Sequence, residues 1–212
     1  MNEARDARFW DRAATKYAKS KIADEAGYTR SLERTAGLLR PEMQVLELGC
    51  GTGSTALRLA GGVGGFTGTD ISPGMIEIAK AKAAEAPDAG LNFRAATAED
   101  MTREPMRWDA VLGFNYLHLV ENLPATLRHI ADLLVPGGLF VSKTTCLSDM
   151  SPLIQYLALP LMRLVGKAPT VIVFSADDLQ QAIRDAGFEI EAVERHASKG
   201  RDARPYIVAR KP

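Results

Sequence analysis

The chain has 212 residues, 46% hydrophobic and 25% charged, and its 26 basic and 26 acidic side chains give a formal net charge of +0. This is ordinary globular composition, long enough to bury a sizeable core, and it lacks the basic excess that nucleic acids or anionic membranes attract. The charged N-terminus has no signal-peptide core, no uncharged apolar run reaches the ~20 residues of a membrane helix, and the two cysteines fit a reducing cytoplasm.

Two helices are predicted first, over residues 3–20 and 24–39, the second ending near Pro41. Strand and helix patterns then alternate, with strands at 45–48, 65–70, 91–96, 108–114 and 139–145 and helices at 52–60, 73–86 and 123–134. A last helix, capped by Ser175, leads through Gly187 to two final strands. This alternation predicts an α/β fold, with a mostly parallel sheet covered by helices on both faces.

A glycine-rich stretch, Glu47-Leu48-Gly49-Cys50-Gly51-Thr52-Gly53, follows the first of these strands. Glycine allows a sharp strand-to-helix bend and removes side chains that would block a ligand over the helix start, although such a loop can also be only a turn. Asp70 favours a ligand site because it ends the next strand, 17 residues after Gly53, where it can accept both ribose hydroxyls. The alternative role of Asp70 is to cap the next helix, for which Ser72 is as good.

The glycine spacing and Glu47 distinguish this loop from the glycine-rich loop of dinucleotide-binding proteins. The glycines follow a G-x-G-x-G order, and a carboxylate beside them suits an ammonium group better than a pyrophosphate. Glu47 to Gly53, followed by Asp70, resembles the class I S-adenosylmethionine-dependent methyltransferases, and is most similar to small-molecule enzymes of the ubiquinone and menaquinone biosynthesis type. The motifs cover residues 40–145, and the resemblance extends weakly to the C-terminus.

The resemblance implies a Rossmann-like sheet of seven strands, one of them antiparallel near the C-terminus. It also implies S-adenosyl-L-methionine as cofactor, S-adenosyl-L-homocysteine as product and no metal. The implied cofactor-binding residues are Tyr17, Glu47, Gly49, Cys50, Gly51, Gly53, Asp70, Ile71, Met75, Thr97, Ala98, Glu99, Phe114 and Asn115.

The adenine end of the implied site is where this chain departs from its relatives. Ile71 and Met75 would contact adenine, though both are also common core residues. Relatives often carry Asp at the position aligned with Thr97, where it accepts from the adenine amino group. Glu99 or Asp100 could substitute, or the backbone near Ala98 could do so, and both carboxylates could simply be solvated.

The fourth strand ends in Phe114-Asn115-Tyr116-Leu117-His118-Leu119. In the family this edge lies beside the methionine moiety and the reacting methyl group, which makes Phe114 and Asn115 cofactor-site candidates. His118 is the candidate general base, because an imidazole titrates near neutral pH. The alternative is a histidine that opens a helix and only hydrogen-bonds backbone.

The resemblance divides the chain into four segments of one methyltransferase domain: a helical lid at 1–40, a cofactor-binding core at 41–146, a substrate cap at 147–174, and a C-terminal helix and strands at 175–212. Tyr17 is the lid residue expected to contact the methionine end, where an aromatic ring attracts a sulfonium. Trp10 is expected to pack within the lid.

The apolar insertion near 150–174 carries charges only at Arg163 and Lys167. Its apolar side chains are Leu153, Ile154, Tyr156, Leu157, Leu159, Leu161, Met162, Leu164 and Val165. Four interpretations are open: a cap over an apolar or aromatic acceptor, plain core, a homodimer face, or an interfacial element touching a lipid substrate.

The function expected from these residues is methyl transfer to a small, apolar or aromatic metabolite by in-line displacement, in the cytoplasm. The alternatives are a non-catalytic S-adenosylmethionine-binding sensor or partner module and a lipid-directed methyltransferase. Nucleic acid is disfavoured as a partner because the fourth strand lacks an Asn/Asp-Pro-Pro-aromatic motif.

Overall fold

The structure is a computed structural model and describes residues 3–85, 90–150, 170–200 and 202–212. Most of the predicted substrate cap, residues 151–169, therefore lies outside the described residues. At its two described ends, Leu147–Asp149 forms a 3₁₀ turn and Phe174 is buried in the core.

The described helices are α1 Glu3–Ala18, α2 Glu25–Ala36, α3 Ala56–Leu59, α4 Pro73–Glu85, α5 Ala98–Thr102, α6 Leu123–Leu133 and α7 Ala176–Asp185. The described strands are β1 Gln44–Leu48, β2 Gly65–Asp70, β3 Leu91–Ala95, β4 Trp108–Phe114, β5 Leu134–Lys143, β6 Glu189–Glu194 and β7 Tyr206–Arg210. Among these helices, none has the length and apolar character needed to cross a bilayer.

The strands form one seven-stranded sheet in the order β3-β2-β1-β4-β5-β7-β6. Strands β1 to β5 run parallel, and β7 runs antiparallel to both of its neighbours, β5 and β6. The predicted Rossmann-like α/β fold with one antiparallel strand is confirmed. The direction of winding reverses between β1 and β4, so the carboxyl ends of β1, β2 and β4 meet at the edge where open α/β sheets bind ligands.

Alternate residues along the strands belong to two separate hydrophobic clusters, one on each face of the sheet. On one face, Leu46 and Val111 pack with Leu127 of α6 and Leu179 of α7. On the other face, neighbouring strand residues pack with α2, α3 and α4. The two clusters hold the strand ends rigidly, which positions the loops that follow them.

Several predicted ends differ from the structure by one to three residues, and two elements differ by more. The helix expected over 52–60 is a single turn, Ala56–Leu59, followed by a 3₁₀ turn, Ala60–Gly62, because glycines at 61, 62 and 64 do not support a longer helix. Strand β5 starts at Leu134, before the Pro-Gly-Gly sequence, because Leu134 already pairs with Trp108.

Candidate active site

The glycine loop has all three of its alternating glycines in the left-handed region, with φ of 67° at Gly49, 53° at Gly51 and 76° at Gly53. Only Gly51 has open space where a side chain would be, since an added Cβ would meet nothing closer than Tyr17 at 3.6 Å. At Gly53 an added Cβ would lie 2.7 Å from Phe93, and Gly53 is not among the cavity-lining residues. Gly53 therefore packs against the core, and its expected place beneath the cofactor stays a prediction.

Asp70 joins the glycine loop to the start of α4. Its Oδ2 accepts from the Gly51 N–H at 3.0 Å, and its Oδ1 accepts from the Ser72 N–H at 2.9 Å. Ser72 supplies the helix cap, because its Oγ accepts from the Met75 N–H at 3.1 Å. Burial raises the pKa of Asp70, against the lowering effect of the bonds from Ser72 and Gly51. The carboxylate retains acceptor capacity toward the cavity that it lines.

Glu47 is buried at 2% exposure, and its Oε2 has no hydrogen-bond partner within the described part of the chain. Burial raises its pKa to about 8, with Asp70 adding to the effect and hydrogen bonds from Thr55 and Ala56 opposing it. An unpartnered buried carboxyl oxygen is costly and indicates a ligand donor that the chain itself does not provide.

Glu47→Gln should remove a pH dependence of stability. The folded-state pKa of Glu47 lies above its ordinary value of 4.5, so the folded chain binds the proton more tightly and loses stability as pH rises from 4.5 toward about 8. We expect the variant to be more stable than wild type by about 1–3 kcal/mol at pH 8 and to gain less at pH 5, measured by urea unfolding. Glu33→Gln, on an exposed part of α2, is the control. Its free energy of unfolding should change with pH as that of the wild type does. Parallel stability curves for Glu47→Gln and wild type would contradict the prediction.

Two cavities meet at the glycine loop, one of about 920 Å³ and one of about 300 Å³. Both are lined by Tyr17, Gly49, Gly51, Phe114 and Asn115. The carboxylates divide between them, since Asp70 lines the larger cavity and Glu47 the smaller. A ligand that crosses the junction would therefore meet an acidic group on each side.

Helix α1, the predicted lid, is fastened next to this junction. Asp11 accepts from the Ser72 hydroxyl at 2.6 Å and from the Gly74 N–H at 2.9 Å, which ties α1 to the start of α4. Tyr17, 47% exposed, packs edge-to-face with Trp10 at 6.1 Å between ring centroids. Trp10 was expected to pack only within the lid, but it also lines the larger cavity.

The predicted adenine-end residues all line the larger cavity: Ile71, Met75, Thr97, Ala98 and Glu99. Thr97 and Asp100 form a reciprocal capping box at the start of α5, in which Asp100 accepts from the Thr97 N–H and hydroxyl at 3.1 and 2.8 Å. Asp100 is therefore corrected from a candidate adenine acceptor to a helix cap. Glu99 forms an ion pair with Arg103 at 2.8 Å. The backbone near Ala98 is therefore the better candidate to accept a hydrogen bond from the adenine amino group.

The end of β4 carries one residue that the sequence interpretation missed, Tyr116. Asn115 has a φ of 53°, the one positive value at a non-glycine within the described ranges, and such strain is typical of functional sites. The Tyr116 ring lies against Gly49, where an added Cβ would be 2.7 Å from its Cδ2, and it lines the larger cavity. No local pattern marks Tyr116, because this contact joins two loops far apart in sequence.

His118 lies in the 3₁₀ turn Leu117–Leu119 and lines the larger cavity. Its Nδ1 is 2.8 Å from the Thr144 Oγ1, and its backbone N–H donates to the same oxygen at 3.2 Å. Burial lowers the pKa of His118 to about 4, so the ring is neutral at pH 7. Phe114, the other predicted residue of this edge, stacks on Tyr206 at 6.4 Å.

Cys50 contributes backbone to the site and keeps its thiol in the core. The side chain is 8% exposed, and burial raises its thiol pKa. Its N–H donates to the Thr69 carbonyl at 2.9 Å, which joins the glycine loop to β2. Across the described residues, no group of three or more His, Cys, Asp or Glu could hold a metal ion.

The fold and the site together define a class of protein. The sheet order, the open Gly51 at the switch point and Asp70 at the end of β2 match the class I S-adenosylmethionine-dependent methyltransferase fold. So does Glu47 near the end of β1, with one carboxyl oxygen that has no partner among the described residues. A family model described as "Methyltransferase domain" matches residues 17–193, and the chain belongs to this family.

Two curated relatives and one solved structure illustrate the similarity. 27-O-demethylrifamycin SV methyltransferase of Amycolatopsis mediterranei is 32% identical over 174 residues, which cover 80% of this chain and 63% of that protein. A highly reducing polyketide synthase of Purpureocillium lilacinum is 30% identical over 141 residues, which cover 59% of this chain but 5% of the synthase. Magnesium protoporphyrin IX methyltransferase of Synechocystis PCC 6803, with bound SAM, has a TM-score of 0.73 at 17% identity, with 100% of this chain and 98% of that chain covered. That last likeness shows the fold.

Proposed function

We propose that this chain transfers a methyl group from S-adenosyl-L-methionine to a small, apolar or aromatic acceptor. The observation that carries the proposal is the junction of two cavities at Gly51, with Asp70 on one side and Glu47 on the other, the Glu47 Oε2 having no partner among the described residues. Asp70 would hold the ribose, Glu47 the ammonium group, and Ile71 and Met75 the adenine. When bound, the sulfonium supplies an activated methyl group and a neutral thioether leaving group.

The chain's own contribution to the reaction is orientation and the exclusion of water. Asp11 fastens the lid to α4, and Tyr17 and Trp10 lie over the cavity junction or beside it. Holding two reactants in line can contribute up to ~7–11 kcal/mol in favourable cases. No covalent nucleophile is required, in keeping with the core position of the Cys50 thiol.

Part of the larger cavity's lining supports an apolar or aromatic acceptor, namely Leu119, Val120, Leu147 and Val171. The same cavity is also lined by polar side chains, among them His118, Glu121 and Asn122, so the acceptor would meet polar groups as well. Apolar surface with a small number of placed polar groups is usual in small-molecule sites. A pKa of about 4 leaves His118 neutral but makes it a weak base near pH 7, which favours a contact with the acceptor over proton removal.

Isothermal titration calorimetry tests the cofactor part of this proposal. We expect S-adenosylhomocysteine and S-adenosylmethionine to bind with micromolar affinity and NAD not to bind. Binding of NAD but of neither adenosyl ligand would overturn the proposal.

A methyl-transfer assay tests the catalytic part of the proposal. Transfer of a labelled methyl group to any member of a panel of phenols and apolar metabolites would support the enzyme. Tight cofactor binding with no transfer to the panel or to a bacterial metabolite extract would favour the non-catalytic sensor.

A further inference from the structure

The hydrogen bonds around Thr144 determine which nitrogen of His118 carries the proton. Thr144 is fully buried, and its Oγ1 accepts a hydrogen bond from the His118 backbone N–H at 3.2 Å. The hydroxyl also has one proton to donate, and the His118 Nδ1, at 2.8 Å, is its one acceptor among the described residues. If the hydroxyl donates to Nδ1, the Thr144 oxygen, its proton and the His118 Nδ1 all have partners.

The opposite tautomer leaves a buried donor without a partner. With the proton on Nδ1, the Thr144 oxygen would accept two hydrogen bonds, and its own hydroxyl proton would have no acceptor in the described part of the chain. A buried polar group without a partner is disfavoured strongly enough to shift such an equilibrium by about 10-fold or more. The proton of the neutral ring therefore belongs on Nε2, the nitrogen left to face the cavity that His118 lines.

We propose that Thr144 holds His118 in the Nε2–H tautomer, so that the ring donates a hydrogen bond to an ionised phenol-type or enol-type oxygen of the methyl acceptor. The proposal rests on the proposed methyl transfer. An imidazole in this tautomer has no lone pair on the cavity side, so it cannot take the acceptor's proton. The acceptor must then lose its proton to water beforehand, which selects acidic hydroxyl groups over ordinary alcohols. The attacking oxyanion supplies the electron pair for the new bond to the methyl carbon, and the pair of the broken C–S bond stays on sulfur.

Nitrogen NMR of the full chain, labelled with ¹⁵N-histidine and saturated with S-adenosylhomocysteine, tests the tautomer directly. The chain has three histidines, and the His118 signals are those missing from His118→Gln. We expect a protonated Nε2 and an unprotonated Nδ1 at pH 7 in wild type and in Thr144→Ser, which keeps the hydroxyl. Thr144→Val should show a mixture of the two tautomers. A protonated Nδ1 in wild type overturns the proposal even if Thr144→Val fails to fold, and an unchanged Nε2–H tautomer in folded Thr144→Val overturns the role of Thr144.

Binding of 4-nitrophenolate to the S-adenosylhomocysteine complex tests the donor role. Gln can donate from its amide at a similar reach but cannot act as a base, whereas Leu can do neither. We expect His118→Gln to bind the probe nearly as well as wild type and His118→Leu to bind it about 10-fold more weakly, as for loss of a hydrogen bond to a charged group. No binding by wild type, or an equal loss in both variants, overturns the acceptor class. A failure of S-adenosylhomocysteine itself to bind is a separate result, and it overturns the proposed function.

Discussion

Asp70→Asn should weaken binding of S-adenosylhomocysteine by about 100-fold, because it removes the charge-assisted hydrogen bonds that we propose Asp70 makes to two ribose hydroxyls. The substitution also disturbs the loop, since the carboxylate accepts from Gly51 with one oxygen and from Ser72 with the other. The amide side chain of the variant would have to turn its NH₂ group toward the N–H of either Gly51 or Ser72. These two hydrogen-bond donors would then repel each other. Calorimetry measures the affinity, and urea unfolding verifies that the variant is folded.

Asp100→Asn is the matched control for this experiment. Asp100 is also an acid that follows a strand and accepts backbone and hydroxyl hydrogens, but it caps α5 and does not line the cavity. We expect it to lose about 1 kcal/mol of stability, as for other helix caps, and to keep its affinity for S-adenosylhomocysteine. Wild-type affinity in Asp70→Asn, or an equal loss of affinity in the control, would show that Asp70 does not hold the ligand.

Gly51→Ala should mainly lose ligand affinity, and Gly53→Ala should mainly lose stability, although both glycines have positive φ. At Gly51 the new methyl group would be 3.6 Å from Tyr17, so the strain is that of a left-handed alanine, about 1–2 kcal/mol. The methyl group would occupy the cavity junction, and we expect at least about a 10-fold loss of S-adenosylhomocysteine affinity, worth about 1.4 kcal/mol.

At Gly53 the methyl group would lie 2.7 Å from Phe93 and 3.0 Å from Ala79, both buried. Overpacking adds to the backbone strain, and we expect a loss of about 3–4 kcal/mol in the free energy of unfolding. Phe93→Leu should relieve part of this loss in the double variant. Urea unfolding and calorimetry on the three variants separate the two effects. Greater instability in Gly51→Ala than in Gly53→Ala would contradict the assignment of the two glycines.

The sequence placed the strands and the glycine loop because these features depend on local chemistry. Residues 65–70 and 108–114 were predicted with the boundaries that the structure has. Asp70 was found from its distance to the loop and from its place at the end of the next strand. The helix after the loop was predicted too long, because the glycines at 61, 62 and 64 outweigh the helical pattern before them.

Long-range contacts decided what individual site residues do, and a local pattern contains no information about them. Gly53 differs from Gly51 only because Phe93 of β3 lies against it. Asp100 could not be separated from Glu99 until the capping box with Thr97 was visible. His118 and Thr144 are 26 residues apart, and they meet because β4 and β5 are neighbours in the sheet.

The sequence by itself determined the order of strands and helices, the position of the bend at residues 49–53 and the acid at 70, because these follow from hydrophobic periodicity and from backbone angles that glycine tolerates. Tertiary structure alone decided which glycine is open to a ligand, which carboxyl oxygen is left without a partner and which histidine nitrogen meets Thr144. The physical reason is that side-chain space, burial and hydrogen-bond partners are set by neighbours that the fold brings together from distant parts of the chain.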